Sequence, residues 1–250
     1  MLELFKLNNT YTFPAIDFAL DEPNGLLAFG GDLSPDRLIE AYKHGVFPWF
    51  NEGEPILWWS PTPRAIIYAD KFTANKSLRK SIRKNQYTTT LNNDFINVIK
   101  HCANVYRGKR VQIDETGEIT QSQSESNNSE TWITSDMMSA YNQLHELGYA
   151  HSVEVYDANK ELVGGLYGVV VGSIFCGESM FHLKTDASKV ALFALTQHMQ
   201  KHNMNIIDCQ LINDHLSRLG CVAISRDEFK HLLNCNQAHF DCWKAQKLEL

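Results

Sequence analysis

Three polar side chains stand where a β-strand should be apolar. Glu178 lies in LVGGLYGVVVGSIFCGESMF, residues 162–181, which reads as two buried strands joined near Gly172. Asp208 and Gln210 lie in the short apolar strand NIIDCQ and, being two apart, are expected to share one face. A carboxylate in such a run must be paired, protonated or put to use, because a bare buried charge is costly. The glycines of the first run weaken a strand unless something approaches the backbone closely, and they leave room for a substrate. The trio suits a transfer that positions two substrates better than one that builds a covalent intermediate. The plain alternative for Glu178 is a carboxylate that satisfies local backbone donors.

Other site types fit poorly. The segment GESMF lacks the second glycine of a nucleophile elbow. No P-loop or GxGxxG opens a helix. The ten histidines form neither HExxH nor an i, i+4 pair with a carboxylate, and the six cysteines form no CxxC. Buried free thiols in a reducing cytoplasm are therefore expected, with no metal site and no cofactor.

At 250 residues, 44% apolar and 21% charged, the chain has the composition of an ordinary globular protein. A formal net charge of -6 argues against nucleic-acid binding by global charge but leaves room for a local patch. Such a patch is legible in KFTANKSLRKSIRK, residues 71–84. Lys76, Arg79, Lys80, Arg83 and Lys84 fall on one helical face and Leu78 and Ile82 on another, with no acid among them. A phosphate-binding role outweighs a merely solvated face. The N-terminus lacks a basic segment followed by an apolar run, and no stretch is apolar for about 18 residues, so neither a secretory signal nor a membrane span is expected.

Turn and cap residues divide the chain. Pro23-Asn24-Gly25 and Gly30-Gly31-Asp32 flank a short strand; Ser34-Pro35 opens a helix with Leu38, Ile39 and Tyr42 inward, and Gly45 ends it. Trp49, Phe50, Trp58 and Trp59 alternate with prolines and exclude a helix. They form either an aromatic core or a platform for a base, worth ~1–3 kcal/mol per stacked base. Residues 107–130 read as a mobile polar insertion. From residue 131 the order is helix, three strands, helix, strand, helix, the last opened by a capping box at Ser225 and Glu228. That order predicts an α/β (α+β) fold, a mixed sheet flanked by helices.

Several long segments, among them EPNGLLAFGGDLSPDRLIEAYKHGVFPWF, PILWWSPTPRA, TWIT, AYNQLHELGYAHSVEVY, ASKVAL and IIDCQLINDHLSRLG together with the glycine-rich run, resemble the leucyl/phenylalanyl-tRNA–protein transferase family. The resemblance spans nearly the whole chain, fails over residues 107–130 and weakens after about residue 235. It implies a small N-terminal domain, residues 1–70, and a GNAT-like acyltransferase domain, residues 71–250. It implies transfer of leucine, phenylalanine or methionine from charged tRNA to the N-terminal Lys or Arg of a protein, marking that protein for degradation. It places Glu178, Asp208 and Gln210 in the catalytic site and Trp49 and Trp132 around the terminal adenosine. Leu166, Phe175, Leu192 and Leu195 map to the apolar amino-acid pocket, and Tyr42 joins the substrate-binding residues. A monomer is expected, with the basic stripe fitting the tRNA acceptor stem. An acyl-CoA acetyltransferase and a non-catalytic RNA-binding module are the rival readings.

Overall fold

Short apolar runs cut by proline and glycine give strands. The chain sorts them into two mixed sheets in the computed structural model, which describes residues 4–84, 86–104, 112–113, 119–120, 131–236 and 241–250. The small sheet has the order Phe5–Leu7, Leu26–Gly30, Leu57–Trp59, Phe47–Pro48. Trp58 and Trp59 are buried in it, their indole N–H groups donating to the carbonyls of Gly30 and Trp49 at 2.8 and 2.7 Å. The aromatic-core reading thus holds for these two rings. Beside the sheet, the Pro35–Lys43 helix ends where Gly45 takes a φ of 73°.

The large sheet has eight strands in the order Val222–Ile224, Arg64–Tyr68, Ile206–Gln210, Ile174–His182, Leu162–Val171, Ala150–Tyr156, Thr88–Leu91, Gln246–Leu248. The Arg64–Tyr68 strand, which follows the proline-rich segment, pairs with Ile206–Gln210 and Val222–Ile224. Within this sheet the parallel contact is that of Ile174–Cys176 with Ile206–Asp208, and the Ala187–Lys201 helix makes the crossover. Val190 and Leu195 of that helix pack with Leu166, whereas Phe95 and Tyr141 from two other helices pack with Tyr167. Adjacent strand residues point to opposite faces, so helices cover both sides of the sheet.

The glycines of the central hairpin answer to the protein's own packing. A Cβ on Gly164 would lie 2.5 Å from that of Ala187, and one on Gly168 would lie 2.3 Å from the Cys176 carbonyl oxygen. The expectation that these positions make room for a substrate is corrected; among them only Gly177, with its nearest neighbour at 3.7 Å, lines a cavity. The proposed insertion at residues 107–130 lies outside the described residues, apart from a pairing of Gln112–Ile113 with Ile119–Thr120. Among the described residues no helix is long and apolar enough to cross a membrane.

Candidate active site

The parallel pairing stops at Cys176 and Asp208. Residues just beyond that point on both strands, Gly177 to Met180 and Cys209 to Gln210, line a cavity of about 460 Å³. Leu166, Phe175, Leu192 and Leu195 supply an apolar wall, Trp49 and Trp132 contribute aromatic faces, and Glu178 and Gln210 add polar groups. The apolar residues come from the hairpin and from the crossover helix, so the fold itself clamps this wall. Asp208 and Tyr42 are outside the lining and act on it from behind.

Asp208 is 1% exposed and so is Arg64. Arg64 Nε donates to Oδ1 and an Nη donates to Oδ2, both at 2.8 Å. The guanidinium also lies 5.0 Å from the centre of the Phe47 ring and 4.4 Å from that of Phe229. Such a bidentate, ring-covered pair is the geometry in which a buried carboxylate is best compensated. Oδ1 further accepts from the Gln210 amide at 3.0 Å. This contact accompanies a bulge between Asp208 and Gln210, and Gln210 takes a φ of 59°, unusual for a residue with a side chain. The expected common face for Asp208 and Gln210 is therefore corrected: the bulge breaks the alternation, turning Gln210 to the cavity and Asp208 to Arg64. Sequence reasoning missed Arg64. Its signal was a lone cation opening the apolar strand RAIIY, which needed an acid, and Asp208 is the acid of another apolar strand.

Glu178 is held differently. The Tyr141 hydroxyl donates to Oε2 at 3.0 Å and is hydrogen-bonded to the Tyr42 hydroxyl at 2.5 Å. Oε1 is buried without a hydrogen-bond partner. Burial raises the Glu178 pKa to about 7 against the opposing pull of the tyrosine hydroxyls, and burial also holds both tyrosines well above their ordinary range, as neutral donors. Tyr141, buried on the Ser135–Glu146 helix, is thus tied to the cavity by its hydroxyl.

The basic stripe forms the Lys76–Arg83 helix, capped by Asn75, whose side chain accepts from the Leu78 amide at 2.9 Å. Lys76, Arg79, Lys80, Arg83 and Lys84 are exposed and together line a shallow depression. Leu78 is buried, and Ser77 and Ser81 both donate to Asp186 at the start of the crossover helix. The stripe is thus fixed to the helix that supplies Leu192 and Leu195 to the cavity.

Two measurements probe these carboxylates. Asp208→Ala leaves the Arg64 charge buried and unpaired, so unfolding free energy from urea titration should fall by about 3–5 kcal/mol. Combining Arg64→Met with Asp208→Leu should recover most of that loss, and strictly additive losses would contradict the pairing. For Glu178, the unfolded chain gives up its carboxyl proton near pH 4.5 and the folded chain near 7. The folded state binds more protons across that window, so this group makes stability fall as pH rises from about 4.5 to 7. Glu178→Gln should flatten the curve of urea midpoint against pH in that window; parallel curves would show that Glu178 does not titrate there.

The sequence model described as leucyl/phenylalanyl-tRNA protein transferase matches residues 66–115 and 109–234, and that of its N-terminal domain matches residues 31–62. A leucyl/phenylalanyl-tRNA–protein transferase of Pseudoalteromonas atlantica is 51% identical over 233 residues, covering 93% of this chain and 91% of the relative. That of Idiomarina loihiensis is 48% identical over 242 residues, covering 96% and 94%. That of Tolumonas auensis is 45% identical over 250 residues, covering 99% and 98%. Matched over most of its length by the family's sequence models and by these relatives, the chain belongs to the leucyl/phenylalanyl-tRNA–protein transferase family.

Proposed function

We propose that the chain moves leucine, phenylalanine or methionine from the 3′ end of charged tRNA to the α-amine of an N-terminal Lys or Arg, marking the acceptor for degradation. The observation that carries this reading is the cavity, with an apolar wall beside Glu178 and Gln210. The wall of Leu166, Phe175, Leu192 and Leu195 suits the donor side chain. Trp49 and Trp132 offer surfaces to the terminal adenosine. Tyr42 serves the site through Tyr141 and Glu178. Its setting is the cytoplasm, where it acts as a monomer. The N-terminal unit takes residues 1–70, with its last strand, Arg64–Tyr68, joined to the large sheet of the GNAT-like catalytic unit, residues 71–250.

The ester of charged tRNA is already activated. The acceptor amine, with a free pKa of ~8, has a useful neutral fraction at neutral pH. Its nitrogen attacks the ester carbonyl, the new C–N bond forms, the C–O bond to the ribose breaks, and the amine proton goes to the departing oxygen. Holding the two groups together supplies much of the rate. Gln210 orients the amine, and Asp208 holds Gln210 in its left-handed turn through the backbone amide. Glu178, in its ionised form, pairs with the cationic acceptor. Lys76, Arg79, Lys80, Arg83 and Lys84 bind phosphates of the tRNA.

The test is transfer of labelled leucine from leucyl-tRNA to an Arg-starting peptide, with acetyl-CoA as the competing donor. Leucyl transfer supports the reading; acetyl transfer, or RNA binding without transfer, overturns it. Gln210→Ala should lower transfer on the order of 10²-fold, as misplacement of a reacting group does, and wild-type turnover would remove Gln210 from the site. Replacing Arg79 and Arg83 by Glu should weaken binding of leucyl- and phenylalanyl-tRNA alike. It should also reduce the slope of log affinity against log salt by about 0.7–0.9 per lost contact. An unaltered slope would make the stripe a solvated face.

A further inference from the structure

A second cluster of ligand-type side chains lies apart from the cavity. His198, in the last turn of the Ala187–Lys201 helix, and His202 at its C-cap meet Cys242 of the C-terminal segment. One donor atom from each lies within 4.8 Å of the other two. His198 is 5% exposed, yet its Nε2 has no hydrogen-bond partner. A buried polar atom left bare is costly, so it calls for an occupant. The same ring makes a hydrogen bond with the Cys242 main chain. Contacts of that kind fix the orientation of a ligating imidazole. A fourth candidate is at hand, since Met204 Sδ, also buried, lies 4.0 Å from Cys242 Sγ.

We propose that His198, His202 and Cys242 bind a thiophilic transition-metal ion, zinc or monovalent copper, with the Met204 thioether available as a further ligand. Donors at ~2.0–2.3 Å from a tetrahedral ion are separated by roughly 3.3–3.8 Å, so the cluster must contract by no more than about 1.5 Å. Two imidazoles, a thiolate and a thioether are a soft set without a carboxylate, which disfavours magnesium and calcium. Binding displaces the thiol proton to solvent. His202 is half-buried and gives the ion its entry. The sequence expectation of no metal site looked for a carboxylate partner and so passed over an i, i+4 histidine pair completed from 40 residues away.

The ion would fasten the C-terminal segment to the crossover helix. Trp243, next to Cys242, stacks on Phe175 with ring centres 5.7 Å apart, and Phe175 lines the cavity. Metal binding would therefore brace the apolar wall from behind, without contributing to the chemistry.

The full chain, stripped with chelator, is titrated with cobalt(II) as a spectroscopic stand-in for zinc, and separately with zinc and with copper(I). The expected result is one ion per chain by mass spectrometry, a thiolate-to-cobalt charge-transfer band that zinc abolishes, and a raised thermal midpoint. Cys242→Ser should lose the band, and His202→Ala should retain less than about a tenth of the affinity. Met204→Leu should weaken copper(I) and spare zinc if the thioether ligates. No binding by the wild-type chain overturns the proposal, as does an undiminished band in Cys242→Ser, which would assign the thiolate elsewhere. Should Cys242→Ser fail to fold, His202→Ala decides alone, since its half-buried side chain at a helix end can be removed without opening the core; full affinity there overturns the site.

Discussion

The contact on which the rest of the structure depends is the buried pair of Arg64 and Asp208. Removing two charges from water costs several kcal/mol per ion, and attraction offsets this only with good geometry and further hydrogen bonds. Here the geometry is bidentate, and the rings over the guanidinium come from different parts of the chain. Phe47 belongs to the small sheet and Phe229 to the Arg226–Cys235 helix, while Arg64 and Asp208 sit on paired strands of the large sheet. One ion pair thus ties both sheets and the C-terminal helix together. Its carboxylate also holds the Gln210 amide at the bulge where the strands cease to pair. The cavity begins at that bulge, so the site is a consequence of how the pair is compensated.

Two carboxylates near one another are held by different partners. Asp208 has an arginine fixed against it. Glu178 has tyrosine hydroxyls, and burial dominates, with the nearby Asp208 charge pushing the same way and Arg64 opposing. Asp208 holds the bulge at the edge of the cavity, and Glu178 can take up or release a proton near neutral pH.

Features set by local chemistry were legible in the sequence. The capping box at Ser225 and Glu228 forms with both of its hydrogen bonds, and the central hairpin turns at Gly172. The apolar lining was legible through the resemblance, and Leu166, Phe175, Leu192 and Leu195 do meet in one cavity. What escaped depends on distance along the chain. Arg64 and Asp208 are 144 residues apart, and Tyr42 and Tyr141 are 99 apart. A strict period of two cannot foresee a bulge, so Gln210 and Asp208 were assigned one face. The glycines were read as space for a ligand because their real neighbours, Ala187 and the Cys176 carbonyl, are contacts made only on folding.

The basic stripe shows how an acidic chain can hold a local positive field. A helix with exposed cations would lose that field if acids packed beside it. Among the described residues the acid that touches this helix is Asp186, and its carboxylate is already occupied. It accepts from Ser77 and Ser81 and pairs with Lys189 at 2.7 Å, and it is 6% exposed. The serines use it to dock the helix, and the lysine neutralises it. Lys76, Arg79, Lys80, Arg83 and Lys84 therefore keep their charge for solvent or for a polyanion. Because Asp186 also begins the helix bearing Leu192 and Leu195, a phosphate backbone held on the stripe is tied to the same rigid element as the apolar wall. A nucleic acid and the group at its end would then be positioned by one helix, with no motion required between them.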